Sequence, residues 1–391
     1  MTDTGSPPEV VVTGMGCVGR AGVGTSALWS QLVASVDHPI DSSPLSFDPS
    51  PWFGPNEARR LDPYLWYAVA ASEEAWLQAG APDLDPSRSG VVMGNLYGAT
   101  TAYETQRSIL QERGPSAVSP WLCAVACEDA CASQISLRRG FTGPCKLVVA
   151  SCASGTVAIA DGAAMIASGT ADLVVCGATL GPVPEVLRTS YDNLRVTSPS
   201  QWVRPFDRRR DGFAFAEGAA VVVLERADHA AARGVRVLGR MLGWAQTNDA
   251  FHMSKPSGRG IEQSMRLALR HAAIPVAEVR ALNAHGTGTL AGDAEEMAAV
   301  GRVFGNHGPA VTSVKGRTGH ALAASGAFEV ISVLLSYEHR AIPATSVAPE
   351  PDPTISGDLV WGAPRPWIPA VTITNSFGLG GHNATLVMAP P

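Results

Sequence analysis

Short unbroken apolar runs alternate along this chain with longer stretches in which apolar residues recur at helical spacing. Runs at 9–15, 90–93, 146–150, 171–177 and 219–224 read as buried strands. Between them, 25–34, 62–79, 99–113 and 153–168 read as helices, with Glu73 and Glu74 on the outward side of the second. The stretch 153–168 is made of small residues and is apolar all round, as a helix packed on every side would be. Residues 39–55 are rich in Pro, Ser and Asp and read as loop. After about residue 235 the pattern restarts. Strands at 235–245, 279–284, 310–314, 371–374 and 384–388 are interleaved with helices at 261–273, 294–303 and 321–337. Two successive β/α halves of similar content, 1–234 and 235–391, imply an internal duplication. Strands alternating with helices imply an α/β fold with a largely parallel sheet covered on both faces.

Composition narrows the function classes. With 391 residues, 46% apolar and 16% charged, the chain can bury a large core and has apolar surface left for an oligomer. A net charge of −6 argues against nucleic acid as the main partner. One basic run, Arg204-Pro205-Phe206-Asp207-Arg208-Arg209-Arg210, reads either as a surface for an acidic partner or as a loop with internal ion pairs. Met1 to Pro8 hold no apolar core and no run reaches about 18 apolar residues, so neither a secretory signal nor a membrane span is expected. Seven scattered cysteines read as the reduced thiols of a cytoplasmic protein rather than a disulfide framework. Only three of the 29 basic residues are lysines, Lys146, Lys255 and Lys315, which hints that an ammonium matters at one of them.

Five places could carry chemistry. Gly14-Met15-Gly16-Cys17-Val18-Gly19 matches GxGxxG after a strand, but no second strand bearing an acid follows, so a glycine-rich strand-to-helix turn is the better reading. Cys152 stands between an apolar strand and the small-residue helix. The helix N-terminus would lower the thiol pKa, and free N–H groups of its first turn could bind an oxyanion. Taken alone, a cysteine in such a place is inert more often than catalytic. His285-Gly286-Thr287-Gly288-Thr289 and Lys315-Gly316-Arg317-Thr318-Gly319-His320 each follow a strand, where ligands of α/β sheets collect. Asn375-Ser376-Phe377-Gly378-Leu379-Gly380-Gly381-His382-Asn383 reads as a glycine-rich loop that admits a substrate, or equally as a tight hairpin.

Taken together and in this order, these runs resemble the β-ketoacyl synthases, condensing enzymes of the thiolase-like fold. Ala150-Ser151-Cys152-Ala153-Ser154-Gly155, Val11 to Gly16, and Arg204 to Asp207 with Asp211-Gly212 also match, so the likeness runs from about 9 to 388. It is to the elongating, two-histidine type rather than the His/Asn type that primes with acyl-CoA. The resemblance implies two duplicated halves in five layers, α-β-α-β-α. It implies that Cys152 takes an acyl chain from an acyl carrier protein, whose phosphopantetheine also presents the malonyl group. His285 and His320 would bind the malonyl thioester, and the enolate left by decarboxylation would attack the Cys152 thioester. Lys315 and Glu329 would orient the His320 side. Backbone N–H groups of Cys152 and Phe377 would form the oxyanion hole, with Phe377 also a gate over the acyl pocket. Thr287, Thr289 and Asn375 would support the site. The acidic partner that the basic run could meet would then be the carrier protein, the loop with internal ion pairs remaining the equal alternative, and the oligomer would be a homodimer or a heterodimer with a related chain. No metal and no cofactor are implied.

The chain departs from the family's pattern at 17–22, 35–60 and 94–98, and most strongly at 118–140. Leu379 and His382 are further replacements in the last loop. Cys127-Glu128-Asp129-Ala130-Cys131 sets two acids where the resemblance places the acyl pocket and dimer interface, which questions a long plain alkyl substrate. Cys123, Cys127 and Cys131 recur every four residues; without a fourth ligand they read as a small-residue packing face. Beside chain elongation in fatty-acid or polyketide synthesis, two alternatives stand. One is an acyltransferase or cyclase that loads Cys152 without elongating. The other is a chain-length partner subunit of a heterodimer, although such partners usually lose the nucleophile.

Overall fold

The computed structural model describes residues 8–305 and 308–391. The expectation for Met1 to Pro8 therefore lies, but for Pro8, outside the described residues. Among the described residues, no helix is long and apolar enough to cross a membrane.

Ten strands of one twelve-stranded sheet fall into two sets of five. The first set is β1 (Val10–Gly19), β2 (Ser89–Gly94), β3 (Cys145–Val148), β4 (Leu173–Leu180) and β5 (Gly218–Arg226). The second is β6 (Gly239–Asn248), β7 (Ala281–Asn283), β8 (Ala310–Thr312), β9 (Thr372–Gly378) and β10 (His382–Ala389). From its outer edge inward the first set runs β3-β2-β4-β5-β1 and the second β8-β7-β9-β10-β6. In each, the three outer strands are mutually parallel and the next two pair antiparallel. The connecting helices correspond as well. They are α1 (Pro63–Gln78), α2 (Ala130–Arg139) and α3 (Ser154–Ala167), then α4 (Gly258–Ala272), α5 (Leu290–Phe304) and α6 (Ser325–His339). Both halves thus have one topology, which bears out the expected duplication. The two sets join where β1 meets β6, at Val10–Met241, Val11–Arg240 and Val12–Gly239.

The helices stack in three layers around these sheets. α3 and α6 pack on each other and touch strands of both sets, so they form the middle layer. α1 and α2 cover the first set from outside, α4 and α5 the second. With both faces covered, β4 is buried at every position, which explains its unbroken apolar run.

Close approach of the outer helices is built into the strands. A Cβ on Gly14 would lie 2.0 Å from Ala75 O, and one on Gly16 2.3 Å from Ala71 O. Gly243 on β6 meets α4 in the same way, 2.6 Å from Ala272 N. The GxGxxG run is therefore neither a nucleotide loop nor the expected strand-to-helix turn. It lies inside β1, with glycines two apart that face one helix.

Other expectations are corrected. Glu74 does not point outward; its carboxylate accepts from Cys17 N at 2.9 Å and Thr25 N at 2.9 Å, which pins the end of β1. β6 begins at Gly239, four residues later than expected, because Arg233 to Leu238 turn the chain first. Asn375 to Gly378 are strand, and the hairpin turn is confined to Leu379 to Gly381. Cys123, Cys127 and Cys131 share no helical face: one helix ends at Val125, α2 begins at Ala130, and only Cys131 is buried. α2 and a helix at Glu185–Asn193 carry too few buried residues to show a clear apolar period.

Gly16→Val should force α1 off β1 and lower stability by about 3 kcal/mol, read as the urea midpoint. Gly301→Ala, on α5 with nothing within 4 Å of its Cβ position, should raise stability by up to about 1 kcal/mol in the same assay.

Candidate active site

Parallel strands end on one edge of the sheet, and the predicted residues gather there. Cys152 follows β3 in a tight turn. Ser151 takes φ 53°, a left-handed conformation that a residue with a Cβ adopts only when its surroundings impose it. Ser154 imposes it here, accepting from Ala150 N at 2.9 Å and donating to Ser151 O at 2.6 Å. The end of β9 closes against this turn: a Cβ on Gly378 would stand 3.0 Å from Cys152 N. Phe377, one residue before, is thereby held beside Cys152.

His285 follows β7. Glu296 on α5 accepts from His285 N at 2.9 Å and from Gly286 N at 2.8 Å, which fixes the turn. Asn375 Nδ2 reaches the same carboxylate at 3.4 Å, and Thr385 Oγ1 donates to Asn375 Oδ1 at 2.9 Å. Lys315 and His320 follow β8. The ring of His320 stands edge-on to that of His285 with centroids 5.5 Å apart, and Phe377 stands against His285 at the same separation. Cys152, His285, His320, Phe377, Thr287 and Thr289 line one cavity of ≈ 360 Å³. Thr287 Oγ1 and Thr289 Oγ1 lie 3.0 Å apart on its wall.

Lys315 and Glu329 lie behind the histidines, both buried and joined as an ion pair. Lys315 Nζ also donates to His285 O at 2.6 Å and lies 3.3 Å from His285 Nδ1. An ammonium can only donate, so Nδ1 is the acceptor and the ring proton sits on Nε2. Ser325 Oγ, 2.8 Å from His320 Nδ1, can set the same tautomer there. Burial, then the Lys315 charge, holds both imidazoles well below their usual pKa, with His320 adding to the shift of His285. Both are neutral at pH 7 and act as hydrogen-bond donors rather than acids. Burial pushes Glu329 up to about 7 against the pull of Lys315 and of Ser376 Oγ, 3.1 Å away.

The thiol does not behave as its place in the sequence implies. Burial pushes Cys152 up to about 11, outweighing the Ser151 hydroxyl and the Lys315 charge, while Glu329 adds to the rise. At neutral pH the Cys152 side chain is therefore a protonated thiol.

Sequence reasoning missed two acids. Asp293 accepts from Phe206 N at 2.8 Å and Gly288 N at 3.0 Å, and Glu296 braces His285. Burial pushes Asp293 up to about 7 and raises Glu296 too. Their signal was two acids three apart on the buried side of a helix.

Of the two readings of the basic run, the loop with internal ion pairs is the one the structure bears out: Arg209 pairs with Asp207 and Glu350, Arg208 with Glu350, and buried Arg210 with Asp352. Against expectation, none of 118–140 lines the cavity, and Glu128 and Asp129 are exposed. Of the three lysines, only Lys315 is buried; Lys146 pairs with Asp161 at the surface, and Lys255 is at the cavity mouth.

Residues 39–230 match the family described as beta-ketoacyl synthase, N-terminal domain, and residues 238–348 its C-terminal domain. The 3-oxoacyl-[acyl-carrier-protein] synthase 2 of Rhizobium meliloti is 33% identical over 414 residues, covering 97% of this chain and 98% of that protein. The protein of the same name from Synechocystis is 33% identical, covering 97% of each. Among solved structures, the ishigamide ketosynthase/chain length factor superposes with a TM-score of 0.92 at 28% identity, over 98% of this chain and all of that one. A type II ketosynthase bound to a hexaketide, in complex with its acyl-carrier protein, gives 0.89 at 25%, again over 98% and 100%. This chain belongs to the β-ketoacyl synthase family, with its thiolase-like fold.

Lys315→Met should cost about 3–5 kcal/mol, because it leaves Glu329 buried without its cation. Lys315→Met with Glu329→Leu should recover most of that loss in denaturant unfolding. Iodoacetamide alkylation of Cys152, followed by intact mass, should quicken about tenfold per pH unit from pH 7 to 9. A plateau below pH 8 would contradict the raised pKa.

Proposed function

We propose that this protein is a β-ketoacyl-[acyl carrier protein] synthase, an acyltransferase that extends a Cys152-bound acyl chain by decarboxylative Claisen condensation in polyketide or fatty-acid biosynthesis. The observation that carries the reading is the convergence of Cys152, His285 and His320 on one cavity, backed by the Lys315–Glu329 pair. In the first step the Cys152 sulfur attacks the acyl thioester of the carrier. The carrier's thiol leaves with the proton that Cys152 gives up. In the second, malonyl carrier binds with its thioester oxygen on the Nε2–H groups of His285 and His320. The bond to the malonyl carboxylate breaks, CO2 departs, and its electron pair forms the enolate that the two donors stabilise. The enolate carbon attacks the Cys152 thioester, and the Cys152 and Phe377 N–H groups hold the oxyanion. That attack makes the new C–C bond. Collapse of the tetrahedral oxyanion then restores the carbonyl and breaks the C–S bond, freeing the Cys152 thiolate, which is reprotonated from solvent. Neutral imidazoles suit this path, since donors and not a strong base are wanted. Phe377 gates the acyl side, and Thr287, Thr289 and Asn375 support the site.

The nucleophile half, 1–234, and the histidine half, 235–391, are the proposed domains, a division supported by their matching strand orders. We read a dimer, of identical or related chains. The edge strand β3 is open, and the helix Thr100–Arg113 has no buried residue while exposing Tyr103 and Leu110. The partner is an acyl carrier protein, and the setting is the cytoplasm. Loading without elongation rests on Glu128 and Asp129, and neither lines the cavity that holds Cys152, which favours elongation. The chain-length role is disfavoured by the intact Cys152.

With acyl and malonyl carrier thioesters, intact mass should show Cys152 acylated and the carrier product two carbons longer. Cys152→Ala should abolish loading. His285→Ala should still load but condense about 10²-fold or more slowly. Loading without release of CO2 from malonyl carrier would sink the reading.

A further inference from the structure

The condensation chemistry leaves one polar group beside Cys152 unused. Tyr191, on the helix Glu185–Asn193, is buried and lines the cavity. Its hydroxyl lies 2.7 Å from that of Tyr97, which stands behind it. Tyr97 holds φ 79° within Gly94-Asn95-Leu96-Tyr97-Gly98, a conformation that costs a residue with a side chain free energy. Asn95 braces this turn, donating to Glu128 O at 3.3 Å and accepting from Leu96 N at 2.7 Å. The fold therefore holds Tyr97 in a strained position, where its hydroxyl meets Tyr191.

Two hydroxyls carry two donor protons, and the bond between them uses one. The other has no acceptor among the described residues. Burial pushes both phenols above their usual pKa, with nearby Cys152 adding to it, so both remain donors. Its ring neighbours are apolar: Phe213 and Phe215 stand edge-on to Tyr191. A buried donor without a partner is unfavourable until something in the cavity accepts from it. A saturated alkyl chain cannot do so. A keto or hydroxyl oxygen can.

We propose that the Tyr97–Tyr191 hydroxyl pair is a specificity element that donates a hydrogen bond to an oxygen on the acyl chain held by Cys152. Oxygen-bearing acyl groups are then taken in preference to saturated ones of the same length. The proposal rests on the reading of Cys152 as the acyl-bearing nucleophile. Its physical basis is that a site built around a donor rejects the analogue that leaves the donor unpaired.

The test loads the full-length protein with 3-oxohexanoyl-pantetheine or hexanoyl-pantetheine and follows Cys152 acylation by intact mass. The 3-oxo thioester should load about tenfold faster. Tyr191→Phe keeps the ring and should lower that ratio about fivefold, the worth of one ordinary hydrogen bond. Tyr97→Phe leaves the Tyr191 hydroxyl present but unanchored and should lower it less. Hexanoyl loading in each variant reports that the site is still folded. Equal rates in the parent protein, or a ratio that survives Tyr191→Phe, overturn the proposal while Cys152 acylation stands. Failure of both thioesters to acylate Cys152 overturns the ketosynthase reading, and this proposal with it.

Discussion

The Lys315 ammonium is the constraint around which the site is arranged. It is buried, and a buried cation is tolerable only with a counter-charge and full hydrogen bonding. Glu329 supplies the charge and His285 the further acceptors. Lys315 follows β8 and Glu329 sits in the second turn of α6, so the pair forms only once α6 has docked between the two strand sets. A Cβ on Gly326 would lie 2.0 Å from Thr156 Oγ1, which shows how closely α6 must seat on α3 for this to happen. One charge then does three things. It adds to the burial that keeps both imidazoles neutral, sets the proton of His285 on Nε2, and tempers the rise in the Cys152 pKa.

The duplicated topology explains why the site is assembled from both halves. Cys152 follows β3 and His320 follows β8, which hold the same place in their respective sets. His285 follows β7, and its counterpart after β2 is the buried Asn95. One frame therefore offers equivalent strand ends to a cysteine on one side and to the histidines on the other. α3 and α6 bring the two ends together, and neither half holds the set alone.

The strands were the most legible part of the chain, for a physical reason. A strand covered on both faces shows as an unbroken apolar run, as β4 and β5 do. Helices with one narrow buried face do not show; Glu185–Asn193 buries only Tyr191. The glycines of β1 matched a phosphate-loop spacing because glycines two apart also suit a helix laid on a strand. Cys152, His285, His320 and Lys315 were legible as short glycine-flanked runs at strand ends, and the fold does bring them together. Hidden were properties made by distant residues. The helix start beside Cys152 can be read locally, whereas the burial that outweighs it comes from β9, α6 and the histidine turns. The acids at 128 and 129 illustrate the same limit, since their distance from the cavity depends on how Asn95 and Tyr64 anchor that segment.

The protonated state of Cys152 has a bearing on the durability of the protein. Peroxide attacks thiolates, and the ladder from sulfenic to sulfonic acid begins with that anion. A thiol held near pKa 11 exposes very little of it at neutral pH. The seclusion that keeps the sulfur protonated also shields it from adventitious oxidants, so a buried Cys152 should resist oxidation better than the exposed Cys123 and Cys127.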